Sequence, residues 1–398
     1  MKSHLLVAFA ALLGLFEGPA EIACAAALVV TAAGGGLRTK QLNIADIGLL
    51  LWLIAGAIGA IGGAPRWGSE PNLRPLLALA YVLGRTAIAD ADPATVVRMG
   101  VAFVTATAAN AAFGYVQVLI VDPGLERYIV GRARAAHLAT GDGRLRMATG
   151  LFYNRMKLVH VGVVALGVAV IASEGARKRA LWVALAVIVA GGVFLTYRRA
   201  APAAWVVGMV ALAMAMTRYK RAALISVIGG GLLALSSLAG YGRERIDNAG
   251  EDLGLRVEIW SAARRLIADH PLFGVGHGGY LRAVGPYLED ASSPDLVRNA
   301  LTNPHNALLY VLAETGLVGF VGFAIAVGAS VAALVLSVRA DRESDEPEVL
   351  LDRAALVGIA TLMVIGVVHA VLYHAPVAML FWALLGVAAA RLPAAFNR

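Results

Sequence analysis

Apolar residues in this chain fall into long runs separated by short polar joints. The runs lie at about 4–16, 19–33, 43–63, 72–90, 94–121, 157–173, 178–196, 200–217, 220–239, 305–338, 353–372 and 376–391. They do not alternate polar and apolar positions, so they predict helices of membrane-spanning length and not barrel strands. The expected fold class is all-α, a polytopic transmembrane bundle of about twelve spans, with the first two runs forming a tight pair around Glu17-Gly18-Pro19. Three polar interruptions stand out: a basic segment at 122–157, the short Tyr197-Arg198-Arg199, and the hydrophilic stretch from Gly240 to Thr302. The predicted organisation is N-terminal membrane helices over 1–239, a large loop over 240–304, and C-terminal membrane helices over 305–398.

Composition supports this reading. Of 398 residues, 59% are hydrophobic and 15% charged, which excludes an ordinary water-soluble globule. Lys2 and the run behind it imitate a secretory signal, but further spans follow at once, so the run is read as retained. With the N-terminus inside, the inner joints would hold Arg38 and Lys40, Arg177-Lys178-Arg179, Arg218 with Lys220 and Arg221, Arg339 with Arg342 and Arg353, and Arg391 with Arg398. That follows the positive-inside tendency and makes the three interruptions outward-facing. The net charge of +8 suits anionic lipid surfaces or phosphorylated substrates. Cys24 is the one cysteine, so disulfides and zinc-thiolate sites are excluded.

Candidate chemistry concentrates where polar residues meet the tenth run. In Asn303-Pro304-His305-Asn306, Asn303 can cap a helix and Pro304 fits its first position. That puts His305 and Asn306 in a first turn, where the dipole favours a neutral imidazole and the free amides suit an anion. Neutral imidazole is the form a general base needs. Gly316 and Gly319 are expected to end or bend this helix. In the long loop, Leu255, Ile259, Ala262, Ala263, Leu266 and Ile267 recur at helical spacing, leaving Arg256, Trp260 and Arg264 on another face. An arginine fork matches a diphosphate, although a solvated helix face is the simpler reading for Arg264 and Arg265. Arg198 and Arg199 end a span on the side that ordinarily lacks basic residues. In 122–157, Tyr128, Ile129, Leu138, Leu145, Leu151 and Phe152 could form amphipathic surface helices, with a solvated basic loop as the alternative.

Other motifs carry less. Asp90-Ala91-Asp92 imitates a metal-nucleotide motif but precedes Pro93 on the inner side, and reads as a loop. Gly274, Gly276, Gly278 and Gly279 lack the strand and Lys-Ser/Thr of a phosphate loop. They more simply make a turn that aims His277, a reserve base, and Tyr280. His369 and His374 flank an outer turn near Tyr373, where packing is the default role.

Three stretches together resemble the O-antigen ligase and polymerase superfamily: Leu253-Gly254-Leu255-Arg256-Val257-Glu258-Ile259-Trp260, then His270 to Tyr280, then Pro304-His305-Asn306 through Gly316-Leu317-Val318-Gly319. The resemblance implies a GT-C-like membrane fold with one large periplasmic helical loop. It implies a glycosyltransferase at the periplasmic face of the bacterial inner membrane, with undecaprenyl-pyrophosphate-linked glycan as donor and a sugar hydroxyl of lipid A core as acceptor. The family tends to have an arginine at the outer end of a middle span. Thr196-Tyr197-Arg198-Arg199 stands in that place, which carries the role to Arg199, with Arg198 as the alternative.

In the expected chemistry, Arg199 and Arg256 neutralise the leaving diphosphate and His305 takes the acceptor proton with inversion. Asn306 would orient the histidine or a substrate hydroxyl, with Trp260, Tyr280 and His277 supporting. No cofactor, metal or nucleic acid is expected, and membrane lipids are the other partner. The ligase leads; a polymerase using the same donor and a non-enzymatic lipid-linked glycan transporter remain alternatives. A transporter should show charges deep in its spans and a two-half repeat; Arg85 is the best such charge, and no repeat accompanies it.

Overall fold

A computed structural model of the chain describes residues 2–35, 41–62, 74–119, 148–152, 154–175, 179–196, 200–216, 219–240, 249–288, 304–341 and 343–393. Among them the regular structure is helical, without strands. The helices are α1 (Lys2–Leu15), α2 (Glu17–Ala33), α3 (Ile44–Gly62), α4 (Leu79–Leu83), α5 (Pro93–Leu119), α6 (Arg155–Gly175) and α7 (Arg179–Leu195). They continue with α8 (Ala200–Ala215), α9 (Lys220–Gly240), α10 (Ala249–Asp269), α11 (Tyr280–Ala283), α12 (Ala307–Ala340), α13 (Pro347–Gly366) and α14 (Ala375–Ala389). Each predicted apolar run contains helix. The fourth is interrupted: α4 continues into a wider π turn at Gly84–Ile88. Five helices, α3, α5, α6, α12 and α13, are long and apolar enough to cross a membrane, and α1, α2, α7, α8 and α14 are shorter apolar helices. This is a helical membrane protein.

Small residues set the closest approaches. α3 and α12 run antiparallel with Gly48 against Gly322; a Cβ at Gly48 would lie 2.6 Å from the Gly322 carbonyl oxygen. Without water to expel, such backbone proximity is how helices gain packing energy in lipid. α8 and α13 are also antiparallel: Gly208 meets Val357 and Thr361, while Tyr219 meets Arg353. The start of α8 at Ala200 therefore lies at the same end of the bundle as the close of α13 at Gly366.

That end also carries the start of α12, and there α12 is broken. Gly316 has φ 62° and ψ −167° inside an otherwise helical stretch, as the expected bend requires, whereas Gly319 stays helical. The break frees backbone groups that would be costly to bury unpaired. The turn 271–276 supplies partners: Val275 and Gly276 amides donate to the Ala313 and Glu314 carbonyls at 3.0 and 2.8 Å, and the Leu317 and Val318 amides donate to Pro271 and Leu272 at 2.8 and 3.1 Å. Glycine is needed on both sides of this docking. A Cβ at Gly316 would lie 2.3 Å from the Leu272 carbonyl carbon, and one at Gly274 would lie 2.5 Å from that of Glu314.

The loop has its own small core. Ile259, Ala262, Ala263 and Leu266 of α10 pack with Val275, Tyr280, Val284 and Leu288, and with Tyr310 and Ala313 of α12. The helical spacing read in the sequence is thus the face α10 buries. Most of the basic segment 122–157 lies outside the described residues. Its described end departs from a surface helix: Phe152 is 2% exposed, in the main core, and the preceding turn is held by Gln117, whose side-chain oxygen accepts from the Thr149 and Gly150 amides at 3.1 and 2.9 Å.

Candidate functional site

The junction of loop and bundle gathers several of the predicted residues. Asn306 is the N-cap of α12, with extended backbone, and its side-chain oxygen accepts from the Leu308 and Leu309 amides at 2.9 and 3.0 Å. The expected cap at Asn303, with His305 and Asn306 inside the first turn, is corrected: the helix begins at Ala307. The reason is His305, whose φ of 50° lies in the left-handed region and breaks the helical path. A non-glycine residue held there carries strain of roughly 1–3 kcal/mol, which persists only where surrounding contacts enforce it.

Those contacts come from three elements. The Asn306 side-chain nitrogen donates to the Val367 carbonyl at 2.9 Å. The Arg256 guanidinium, from α10, donates through Nη1 to the next carbonyl, Val368, at 2.9 Å. Trp260, one turn further along α10, donates its Nε1–H to the Pro304 carbonyl at 3.0 Å. The turn that closes α13 therefore anchors Arg256 and the Asn306 cap on successive carbonyls, with His305 between two anchored neighbours. Asn306 was expected to orient the histidine or a substrate hydroxyl. Both its polar atoms are engaged with backbone, so it fixes the segment from which His305 projects.

Arg256 and His305 are both half-buried. Among the described residues Arg256 has no carboxylate partner, so a guanidinium with five donors commits one of them to protein. Arg264 and Arg265 are exposed, and Arg265 donates to the Tyr287 carbonyl at 2.6 Å, in keeping with a solvated face.

His277 and Tyr280 are held by different neighbours. His277 enters the bundle, its ring 4.6 Å from that of Trp52 of α3 and beside Glu314 of α12. Glu314 is seven residues into α12 from Ala307, about 10 Å at helical rise. Burial pushes the His277 imidazole down to about 4. Tyr280 is 1% exposed and packs edge-on to Tyr310. The glycine turn thus places both side chains in packing contacts, His277 against Trp52 and Tyr280 against Tyr310. Arg198 and Arg199 lie outside the described residues; α8 begins directly after them at this end of the bundle. Arg85 is buried against Asp46, and Asp92 caps α5 through the Thr95 amide at 2.9 Å.

The signals missed in the sequence are the Val367 and Val368 carbonyls, which have no side-chain signature, and the left-handed His305. Residues 184–324 match the family model described as O-antigen ligase, a range that runs from α7 past the break at Gly316. The match supports a relation to the O-antigen ligase family over this stretch. No curated protein matches the chain.

Proposed function

We propose that this protein is an O-antigen ligase that transfers a glycan from undecaprenyl pyrophosphate to a sugar hydroxyl of lipid A core, at the periplasmic face of the bacterial inner membrane. The observation that carries the reading is the anchoring of Arg256 and Asn306 on adjacent carbonyls, with Asn306 directly following a left-handed His305. A lipid diphosphate is already an activated leaving group. The protein must neutralise charge that builds on the departing oxygen, and it must remove one proton. Among the described residues Arg256 keeps guanidinium donors for the first task, and Arg199 or Arg198 would complete the cradle. His305 serves the second: as the acceptor oxygen bonds to the anomeric carbon, the hydroxyl proton passes to an imidazole nitrogen. The bond from that carbon to the pyrophosphate breaks with both electrons going to the leaving group, and the centre inverts. No metal is needed where arginines carry the counter-charge.

A transporter reading is less well supported. A cavity of about 320 Å³ lies among α1, α5, α6, α13 and α14, but its walls are apolar and no cationic side chain stands among its described lining residues. Arg85 is neutralised by Asp46. The test is reconstitution of purified protein with lipid-linked glycan and lipid A core. Capped core supports the ligase, a lengthened donor would make the protein a polymerase, and no product from either acceptor would refute the transferase reading. Product formation is expected to be unchanged by a chelator.

A further inference from the structure

His160 of α6 and His369, in the turn that closes α13, present their rings to one another with centroids 5.5 Å apart. His160 is fully buried and His369 is 8% exposed. Neither belongs to the site described above, yet His369 directly follows the two carbonyls, Val367 and Val368, that hold Asn306 and Arg256. The turn is braced locally: the His369 amide donates to Ile365 at 2.9 Å and its carbonyl accepts from Val371 at 3.0 Å. It is also close to α12, since a Cβ at Gly366 would lie 3.3 Å from that of Ala307.

From this geometry we infer that the His160–His369 ring contact is a positioning device: it clamps the turn 367–370 against α6 and thereby sets where Arg256 and Asn306 stand beside His305. A backbone turn with two long-range acceptors is a rigid spacer only if something fixes its azimuth. The ring contact does this from a fourth element, α6, that touches neither α10 nor the cap of α12 through these bonds. Loss of one ring lets the turn shift, and both anchored groups shift with it. A displacement of about 1 Å at a reacting centre can cost on the order of 100-fold in rate.

The inference rests on the proposed transferase only for its activity readout, so two measurements separate them. In hydrogen exchange on the purified protein, His369→Ala and His160→Ala should each speed exchange in 254–262 and 304–309, while His369→Phe, which keeps a ring, should leave those segments as in the wild type. In the transfer assay, His369→Ala should lower kcat/KM by about 100-fold, His369→Phe should recover most of it, and Arg256→Ala combined with His369→Ala should be little worse than Arg256→Ala alone. Unchanged exchange in both alanine variants overturns the inference whatever the activity. Failure of His369→Phe to restore slow exchange also overturns it, because the ring contact would not be the cause. The expected exchange pattern with no transferase activity in the wild type would leave the clamp standing and refute the transferase.

Discussion

The arginines at the two ends of this bundle are held in different ways. Away from His305, Arg85 pairs with Asp46 and gives a further bond to the Gln41 carbonyl at 2.6 Å, while Tyr81 donates to the same carboxylate at 2.8 Å. Arg391 pairs with Asp352 at 2.9 Å, and the fully buried Arg353 reaches Asp345 at 3.5 Å and the Ser344 carbonyl at 2.7 Å. Each is neutralised by the chain itself, as a charge in a low-dielectric interior must be. At the His305 end, Arg256 has one backbone acceptor and no carboxylate among the described residues. A paired arginine ties helices together; on the proposed function, one with a single backbone acceptor would receive an anion that arrives from outside.

That contrast can be broken at either end. The largest effect is expected from His305→Ala, which should lower transfer by roughly 10²–10⁴-fold, the usual worth of a positioned general base, with the detergent-extracted protein remaining folded by circular dichroism. Next is Asp46→Ala, which strands Arg85 in the interior and should cost about 3–5 kcal/mol, read as a fall in Tm or loss of expression. The matching change at the other end, Arg256→Ala, should leave Tm nearly unchanged while transfer drops about 10–100-fold, and Arg256→Lys should recover little because a point charge cannot replace the fork.

Gly316→Ala tests the docking that brings the two regions together. It should cost on the order of 1–3 kcal/mol through left-handed strain and the clash with Leu272, seen as a lowered Tm. The smallest effect concerns His277. Its folded imidazole sits near 4 against an ordinary 6.5, so the unfolded chain takes up a proton that the folded chain refuses. Stability is whole above about 6.5 and declines as pH falls towards 4. Thermal scans across that window should show the decline, and His277→Gln should flatten it.

Much of this was legible in the residues. Leu255, Ile259, Ala262 and Leu266 fall on one face because a buried helix repeats near 3.6, and they do form the loop core. A bend among the first glycines of that run was legible because glycine weakens a helix, but the residues alone do not choose Gly316, which breaks, over Gly319, which stays helical. The cap was misplaced by three residues, since Asn303 and Asn306 are equal cap formers and Pro304 fits only behind the first. What decides it is a bond from Asn306 to a carbonyl 61 positions away. Likewise His277 reads like a catalytic imidazole until the docked turn carries it against Trp52. Local pattern specifies helices and their buried faces; which backbone carbonyl receives Arg256 depends on contacts across 112 positions, for which no local rule exists.

The most direct test of the central claim separates holding the diphosphate from spending it. Binding of a polyprenyl pyrophosphate without glycan should be measured on wild type, Arg256→Ala and His305→Ala in detergent. The account predicts that Kd rises by about 10–100-fold for Arg256→Ala, the worth of a charge-assisted bond, and stays near wild type for His305→Ala. Equal affinity of wild type and Arg256→Ala would contradict it.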